Sequence, residues 1–217
     1  QLGGRGVFVR SSSNSEDLPG FSGAGLYTTV PNVLTGEALE RAVKTVWASV
    51  FNFEAWEARS AARFPADTVM MAVFVQAAID AANAGVMITR DPFSAAGWHI
   101  TYLSAKRGIG IRVVEGQRVA EQVTYSSWSQ AIQVLSRSAD TTALQLDAGG
   151  GVKEVPVEVG RVVLNDALVL RLASVGAAVK QVFGGVDQDI EWATVGNRIA
   201  LLQARPYVDR NTAPARP

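Results

Sequence analysis

The sequence predicts an α+β fold with mixed or antiparallel sheets and flanking helices, and three observations support this prediction. The chain closes on a strand–turn–strand pattern around Gly196-Asn197. Two stretches carry apolar residues at helical spacing, one after Thr35 and one after Asn165. Short β-rich runs lie between them. A tight turn of this kind joins antiparallel strands, and an amphipathic helix buries one face against a neighbouring layer.

Length and composition fit a folded globular chain. Its 217 residues are 48% hydrophobic, which allows a sizeable core in one domain or two small lobes. The 20 basic and 20 acidic residues cancel, so we predict neither nucleic acid nor a membrane as a partner. The longest wholly apolar run, Val69 to Val75, is too short to cross a bilayer. The lack of cysteine excludes disulfides and thiolate chemistry and agrees with a cytoplasmic location.

The first predicted strand, 6–10, ends in Arg10 and enters a polar loop. Three glycines among residues 20–25 allow this loop to approach a ligand closely and to offer N–H groups to phosphate oxygens. An ordinary surface loop has a similar composition. The residues alone therefore leave both interpretations open.

Helical patterns follow the capping residues Thr35 and Asn165. The first helix is predicted to run to about Arg63, and the second to end at Gly184-Gly185. Aromatic residues on the first helix are interpreted as core rather than as a base-stacking platform, because core packing is their commoner role at helical spacing. These aromatic residues are Trp47, Phe51, Phe53 and Trp56.

Four further strands are predicted between the helices, at 69–79, 85–90, 100–103 and 118–125. The stretch 126–153 carries little signal apart from a glycine turn at 149–151. His99 is the only histidine, and we interpret it as structural, because nothing beside it marks an exposed catalytic loop.

The terminal hairpin is predicted to place four polar side chains on one face. With a loop at 196–198, Glu191 pairs with Gln203 and Asp189 pairs with Arg205. Carboxylate and amide oxygens suit Mg²⁺, and an arginine fork suits phosphate. An edge hairpin with an Asp–Arg cross-strand salt bridge is the structural alternative, and spacing does not decide between them.

The same register places Val195 opposite Ile199 and assigns the apolar residues of the hairpin to its other face. These apolar residues are Ile190, Trp192, Leu202 and Ala204.

Two parts of the sequence resemble the ATP-grasp nucleotide-binding domain of the phosphoenolpyruvate-utilising dikinases. That family includes phosphoenolpyruvate synthase, pyruvate phosphate dikinase, rifampicin phosphotransferase and glucan water dikinase. The first part is VRSSSNSEDLPGFSGAGLYTTVPNV, and the second is DIEWA followed by LLQARP. The resemblance covers about residues 6–208 in the family's order.

This resemblance implies ATP and Mg²⁺ as cofactors and gives roles to individual residues. Glu191 and Gln203 would hold Mg²⁺, while Arg10 and Arg205 would contact phosphates as catalytic groups. Glu16 and Asp17 are expected to order the loop after Arg10 or to contact Arg10. The glycine-rich loop would act as a lid over the phosphates, with contributions from Ser22, Gly23 and Gly25.

A further segment, Gln76, Ala77 and Ala78, resembles the linker between the lobes of an ATP-grasp domain, where the chain hydrogen-bonds the adenine edge. The resemblance therefore implies that these three residues bind the nucleotide.

Gly108 and Gly110 lie in a segment that resembles a Gly-Leu-Gly-Glu pattern of the family, and they are also implied to bind the nucleotide. Ile111 departs from that pattern, because many members have Glu there. The basic residues of this segment are expected to contact phosphate or ribose. They are Lys106, Arg107 and Arg112.

The function implied is an ATP-binding phosphotransferase domain that, with Mg²⁺, transfers phosphate from ATP to a histidine on a separate swivelling domain. We expect the remainder of an N-terminal lobe at 1–75, a C-terminal lobe at 76–208 and a tail or linker at 209–217. The family's domain begins further upstream, so the chain is expected to lack its N-terminal portion. The phosphohistidine and acceptor domains would belong to the same polypeptide. A regulatory or scaffolding ATP-grasp domain without turnover is the alternative.

Overall fold

A computed structural model of the chain describes residues 6–18, 21–22, 25–94, 96–111 and 120–208. They form an α+β fold whose three-stranded and six-stranded sheets are antiparallel, which confirms that part of the predicted fold class. The described helices are α1 (Gly36–Ala48), α2 (Phe53–Ala61) and α3 (Asp166–Val182). None of them has the length and apolarity needed to cross a membrane.

The strands are named in chain order. They are β1 (Val7–Ser13), β2 (Asp17–Leu18), β3 (Phe21–Ser22), β4 (Val30–Val33), β5 (Met71–Ala77), β6 (Asn83–Ile88), β7 (Ile100–Arg107), β8 (Glu121–Ser126), β9 (Ile132–Ser136), β10 (Thr142–Leu146), β11 (Val152–Pro156), β12 (Gln188–Val195) and β13 (Arg198–Pro206).

The described residues divide into two compact units. The first contains residues up to 78 together with 146–153 and Val208, and the second contains 79–145 and 154–207. The two lobes expected at 1–75 and 76–208 stay a prediction.

The first unit is built on a sheet with the order β4-β1-β5, which packs against α1. Val7 and Val9 alternate along β1 and are buried against Val46 of the helix. The side chain of Thr35 accepts a hydrogen bond from the N–H of Ala38, as predicted for the N-cap.

The predicted long helix is interrupted, because Asn52 has an extended backbone between α1 and α2. The change of direction turns Ala55 and Arg59 inward, and Arg59 donates hydrogen bonds to the Tyr27 hydroxyl at 3.1 Å and to the Val50 carbonyl at 2.6 Å. The assignment of four aromatic residues to the core was wrong, and two of them, Phe53 and Trp56, lie on α2 after this break. They are exposed: Trp47 by 53%, Phe51 by 79%, Phe53 by 68% and Trp56 by 52%.

The second unit is built on a six-stranded sheet with the order β13-β12-β6-β7-β8-β9. Helix α3 covers one face, where Val169 and Leu172 pack with Ile190 and Trp192. Close packing under the indole requires Gly85, because a Cβ there would lie 2.7 Å from the Trp192 ring. The other face carries Glu191 and is not covered by α3. It is called the open face below.

Three strands lie within or begin in the stretch 126–153, where none was predicted. Strand β9 is at the sheet edge, and both Val134 and Leu135 on it are exposed, so it lacks the alternation of a half-buried strand. Strands β10 and β11 form a separate two-stranded ribbon.

The segment leading into α3 is fixed by a buried carboxylate. Glu121 accepts hydrogen bonds from the N–H groups of Val163, at 2.9 Å, and Leu164, at 3.2 Å, and it forms an ion pair with Arg137. Its side chain is 1% exposed, so these bonds replace those that water would make.

We expect Glu121→Ala to lower the free energy of unfolding by about 3 kcal/mol, because two buried N–H groups would lose their acceptor. The control is Glu158→Ala at an exposed position. Urea unfolding followed by tryptophan fluorescence measures the difference, and equal unfolding midpoints for the two variants would contradict the assignment.

Candidate nucleotide and metal site

The hairpin formed by β12 and β13 lies at one edge of the six-stranded sheet. Asp189 pairs with Arg205 and Glu191 pairs with Gln203, which confirms the predicted polar pairs. The predicted loop was wrong by one residue, because Val195 pairs with Arg198 and only Gly196-Asn197 form the turn.

A β-bulge explains how the polar pairs hold despite the shorter turn. Trp192 pairs with Leu201, so Leu202 is an extra residue in β13. The tighter turn shifts the pairing by one residue, and the bulge shifts it back. Leu202 consequently packs with Ala193 on the open face and not with the buried Ile190 and Trp192 as expected. Ala204 does pack against the buried face, as predicted.

Arg205 is held in place by Asp189. Its Nε and Nη2 atoms donate to the Oδ2 atom of Asp189 at 3.1 and 2.8 Å. Both side chains are 21% exposed. The salt bridge expected from the structural alternative therefore exists, and it fixes the guanidinium on the same face as Glu191.

The open face extends across β6 and β7. Glu191 on β12 pairs with Val86 on β6, and Val86 pairs with Ser104 on β7. Lys106 lies two residues after Ser104 and therefore on the same face. Lys106 is 3% exposed, and its Nζ lies 3.5 Å from Asp140. The open face thus contains a buried lysine in addition to the hairpin residues.

Tyr102 lies on the same face of β7, two residues before Ser104. Burial raises the pKa of its phenol, and a hydrogen bond with Ser104 opposes the shift. The phenol is therefore protonated at neutral pH and acts as an uncharged hydrogen-bonding group.

Arg107 lies on the other face of the sheet from Lys106, and its expected contact with phosphate or ribose stays a prediction. It donates to the carbonyls of Glu158, at 2.7 Å, and Arg161, at 2.6 Å, beside the segment before α3. Consecutive residues of a strand point to opposite faces, which separates Arg107 from Lys106. Arg112 lies outside the described residues.

In the first unit, Arg10 and Gln76 share the sheet face opposite Val7 and Val9. The Nη1 atom of Arg10 donates to the Oε1 atom of Gln76 at 3.2 Å. Two residues for which the resemblance implies phosphate and adenine contacts are therefore in direct contact.

The backbone of β5 clarifies the expected linker contacts. The N–H of Ala78 donates a hydrogen bond to the carbonyl of Gly6 at 2.8 Å, so this N–H group already has an acceptor within the protein. That bond makes Val7 and Ala77 a non-hydrogen-bonded pair, in which the backbone N–H and C=O of Ala77 point away from β1. Since β5 is an edge strand of this sheet, Ala77 directs its backbone polar groups outward.

The loop after β1 is described in part. Glu16 accepts hydrogen bonds from the Ser11 hydroxyl, at 2.7 Å, and from the Ser13 N–H, at 3.3 Å, so it orders the loop as expected. The backbone of Ser22 is in β3, and Gly25 has a φ of +79° with open space around it. Gly23 lies outside the described residues.

Gly108 and Gly110 follow β7 and are closely packed. Gly108 has a φ of +73°, and a Cβ would lie 2.1 Å from the Leu144 carbonyl oxygen. A Cβ on Gly110 would lie 3.0 Å from the Ala84 Cβ. Packing alone therefore accounts for glycine at position 108.

His99 is half-buried and contacts two aromatic rings. It stacks on Trp128 with ring centroids 4.0 Å apart, and Trp98 contacts it edge-on. This environment agrees with a structural role.

Two oxygen-bearing side chains, Glu191 and Gln203, are the pair that could share a hard cation on the open face. Across the described ranges, no group of three or more His, Cys, Asp or Glu side chains is arranged to hold a metal ion.

Comparison with known proteins places the chain in a family. The profile described as pyruvate phosphate dikinase, AMP/ATP-binding domain, matches residues 3–216. The chain belongs to this family.

Curated relatives agree with that assignment. A probable phosphoenolpyruvate synthase of Archaeoglobus fulgidus is 32% identical over 92% of this chain and 26% of its own length. A rifampicin phosphotransferase of Streptomyces sviceus is 32% identical over 91% of this chain and 23% of its own length. A probable phosphoenolpyruvate synthase of Methanothermobacter thermautotrophicus is 32% identical over 92% of this chain and 29% of its own length. The chain spans about a quarter of the length of these relatives.

For this AMP/ATP-binding domain we expect Gly108→Ala to be more destabilising than Gly160→Ala. Both glycines have positive φ, +73° and +80°, but nothing lies within 4 Å of a Cβ at Gly160. The shared backbone cost is about 1–2 kcal/mol, and the clash with Leu144 adds about 2 kcal/mol at position 108. Chemical denaturation measures the difference, and equal losses of stability would contradict the packing role.

Proposed function

We propose that this chain is an ATP-grasp domain that binds ATP with Mg²⁺ and supplies phosphate to a histidine on another domain of a dikinase. One observation carries the proposal: Glu191 opposite Gln203, beside Asp189 opposite Arg205, on one face of a hairpin in an AMP/ATP-binding family. The regulatory alternative is not favoured, because the named relatives include a phosphotransferase.

The donor set suits Mg²⁺. Glu191 offers a carboxylate and Gln203 an amide oxygen, and Mg²⁺ in phosphotransfer sites commonly takes one or two protein oxygens together with substrate phosphates. When bound, the ion would neutralise charge on the phosphate oxygens.

Arg205 binds terminal phosphate oxygens in this proposal. Its contact with Asp189 orients the guanidinium before the nucleotide arrives, which reduces the side-chain entropy lost on binding. Arginine donors also match phosphate geometry better than a point charge does. Lys106, on the same face, adds a second cationic contact.

The proposal also assigns nucleotide contacts to residues of the first unit, taken by itself. Arg10 contacts phosphate, with its guanidinium positioned by Gln76. Ala77 offers outward-pointing backbone groups that match the hydrogen-bonding edge of adenine. Ser22, Gly23 and Gly25 are assigned to the phosphates in this proposal, and Gly110 of the second unit is also assigned to the nucleotide.

The chemistry assigned to this chain is positioning and charge neutralisation. Transfer of a phosphoryl group depends mainly on alignment of the nucleophile and stabilisation of charge on the transferred oxygens. Arg10 and Arg205 serve the second need, and the histidine nucleophile comes from a separate domain. The lobe boundaries, a cytoplasmic location and partner domains within a longer polypeptide belong to the same proposal.

The metal role is tested with Glu191→Ala. We expect Mg²⁺-dependent ATP affinity to fall about ten- to hundredfold, since one charged ligand is lost. Calorimetric titration of ATP, in Mg²⁺ and in EDTA, measures this fall, and a thermal melt checks the fold. Glu57→Ala, at an exposed position on α2, is the control. Unchanged Mg²⁺-dependent affinity in the Glu191 variant would contradict the proposed metal site.

The phosphate role is tested with Arg205→Gln. Because Arg205 is assigned to terminal phosphates, ATP affinity should fall about ten- to hundredfold while AMP affinity changes little. Arg198→Gln, at an exposed position on the same strand, is the matched control. If Arg205 serves only the salt bridge with Asp189, the variant will lose some stability and bind ATP like the control.

A further inference from the structure

A cavity of about 430 Å³ opens in the second unit on the sheet face opposite Glu191, beside the start of α3. Three arginines from three different parts of the chain line it: Arg107 from β7, Arg161 from the segment before α3, and Arg171 from α3. Asn83, Asn165 and Asn197 supply amide groups to the same lining.

Among the residues that the structure describes, no carboxylate pairs with these arginines. Arg107 donates to two carbonyls, and Arg171 donates to the Oδ1 atom of Asn197 at 3.0 Å and to its carbonyl at 2.7 Å. Those acceptors are uncharged. Within the described part of the chain, none of the three arginines forms an ion pair, and no carboxylate lines the cavity.

The neutral hydrogen bonds also fix the geometry. Arg107 bridges two carbonyls of one segment, and Arg171 ties α3 to the hairpin turn at Asn197. Like charges that are held close together repel, so such a cluster is most stable when an anion occupies it. Fixed guanidinium groups lose little entropy on binding a ligand.

We infer that this arginine cavity is a binding site for a small phosphate-bearing anion, separate from the proposed nucleotide face. Guanidinium forks match phosphate oxygens, and the amide groups of the lining add uncharged donors. The cavity volume accommodates an anion of the size of pyrophosphate, and its position on the α3 side of the sheet excludes Glu191 and Gln203 from the site.

The test uses inorganic pyrophosphate as the probe, with inorganic phosphate and AMP as separate arms, all in EDTA so that Mg²⁺-dependent binding does not contribute. Calorimetry on the full chain should detect saturable pyrophosphate binding. Arg161→Glu should weaken it by about tenfold or more, since an attractive charge becomes repulsive. Arg161 is exposed, so this variant is expected to fold.

Two controls separate this site from the proposed nucleotide face. Glu191→Ala and Arg41→Gln, the latter at an exposed position on α1, should leave pyrophosphate affinity unchanged. Arg171→Gln should weaken binding as Arg161→Glu does. Stronger binding of AMP than of the inorganic anions, with the same dependence on Arg161, would identify a nucleotide phosphate as the source. Absence of saturable binding in all three arms, or equal affinity in the Arg161→Glu variant, would overturn the inference.

Discussion

The antiparallel pairing of β12 between β6 and β13 is the constraint on which the candidate site depends. Ile190 and Trp192 are fully buried under α3, and burial of each contributes about 2–3 kcal/mol. A slip of one residue would move both side chains to the open face and turn Glu191 into the core. The packing of two apolar side chains therefore determines where the carboxylates point.

The two faces of the six-stranded sheet consequently differ in composition: one packs against α3 and the other carries the polar residues of the candidate site. The side covered by α3 carries the largest buried cluster of the second unit, and Glu121 fixes the entry to that helix through two backbone N–H groups. The open face carries charged and polar side chains such as Glu191, which alternate along the strands with buried apolar side chains on the other face. Because neighbouring strands in this sheet stay in register from β12 to β8, polar residues that are distant in sequence, such as Lys106 and Glu191, lie on one surface.

Electrostatic pairing differs between the two sides. On the open face, Arg205 is matched by Asp189 and Lys106 is close to Asp140, so the cations are oriented by carboxylates. In the arginine cavity, Arg107 and Arg171 are oriented by uncharged acceptors, and their positive charge is retained. A site built in the second way favours anions without any rearrangement of the protein.

The sequence by itself determined the α+β class, the caps at Thr35 and Asn165, and the polar pairs of the hairpin, because these follow from local periodicity and from side chains a few residues apart. It did not determine the exposure of the aromatic residues, two of which, Phe53 and Trp56, follow a backbone break at Asn52 that the helical spacing did not indicate. The bulge at Leu202 was not predicted either. It offsets the one-residue shift of the tighter turn, so the polar pairs are the same with or without both features. The arginine cavity was decided only by tertiary structure: its three arginines come from a strand, a connecting segment and a helix, and long-range packing alone brings them together.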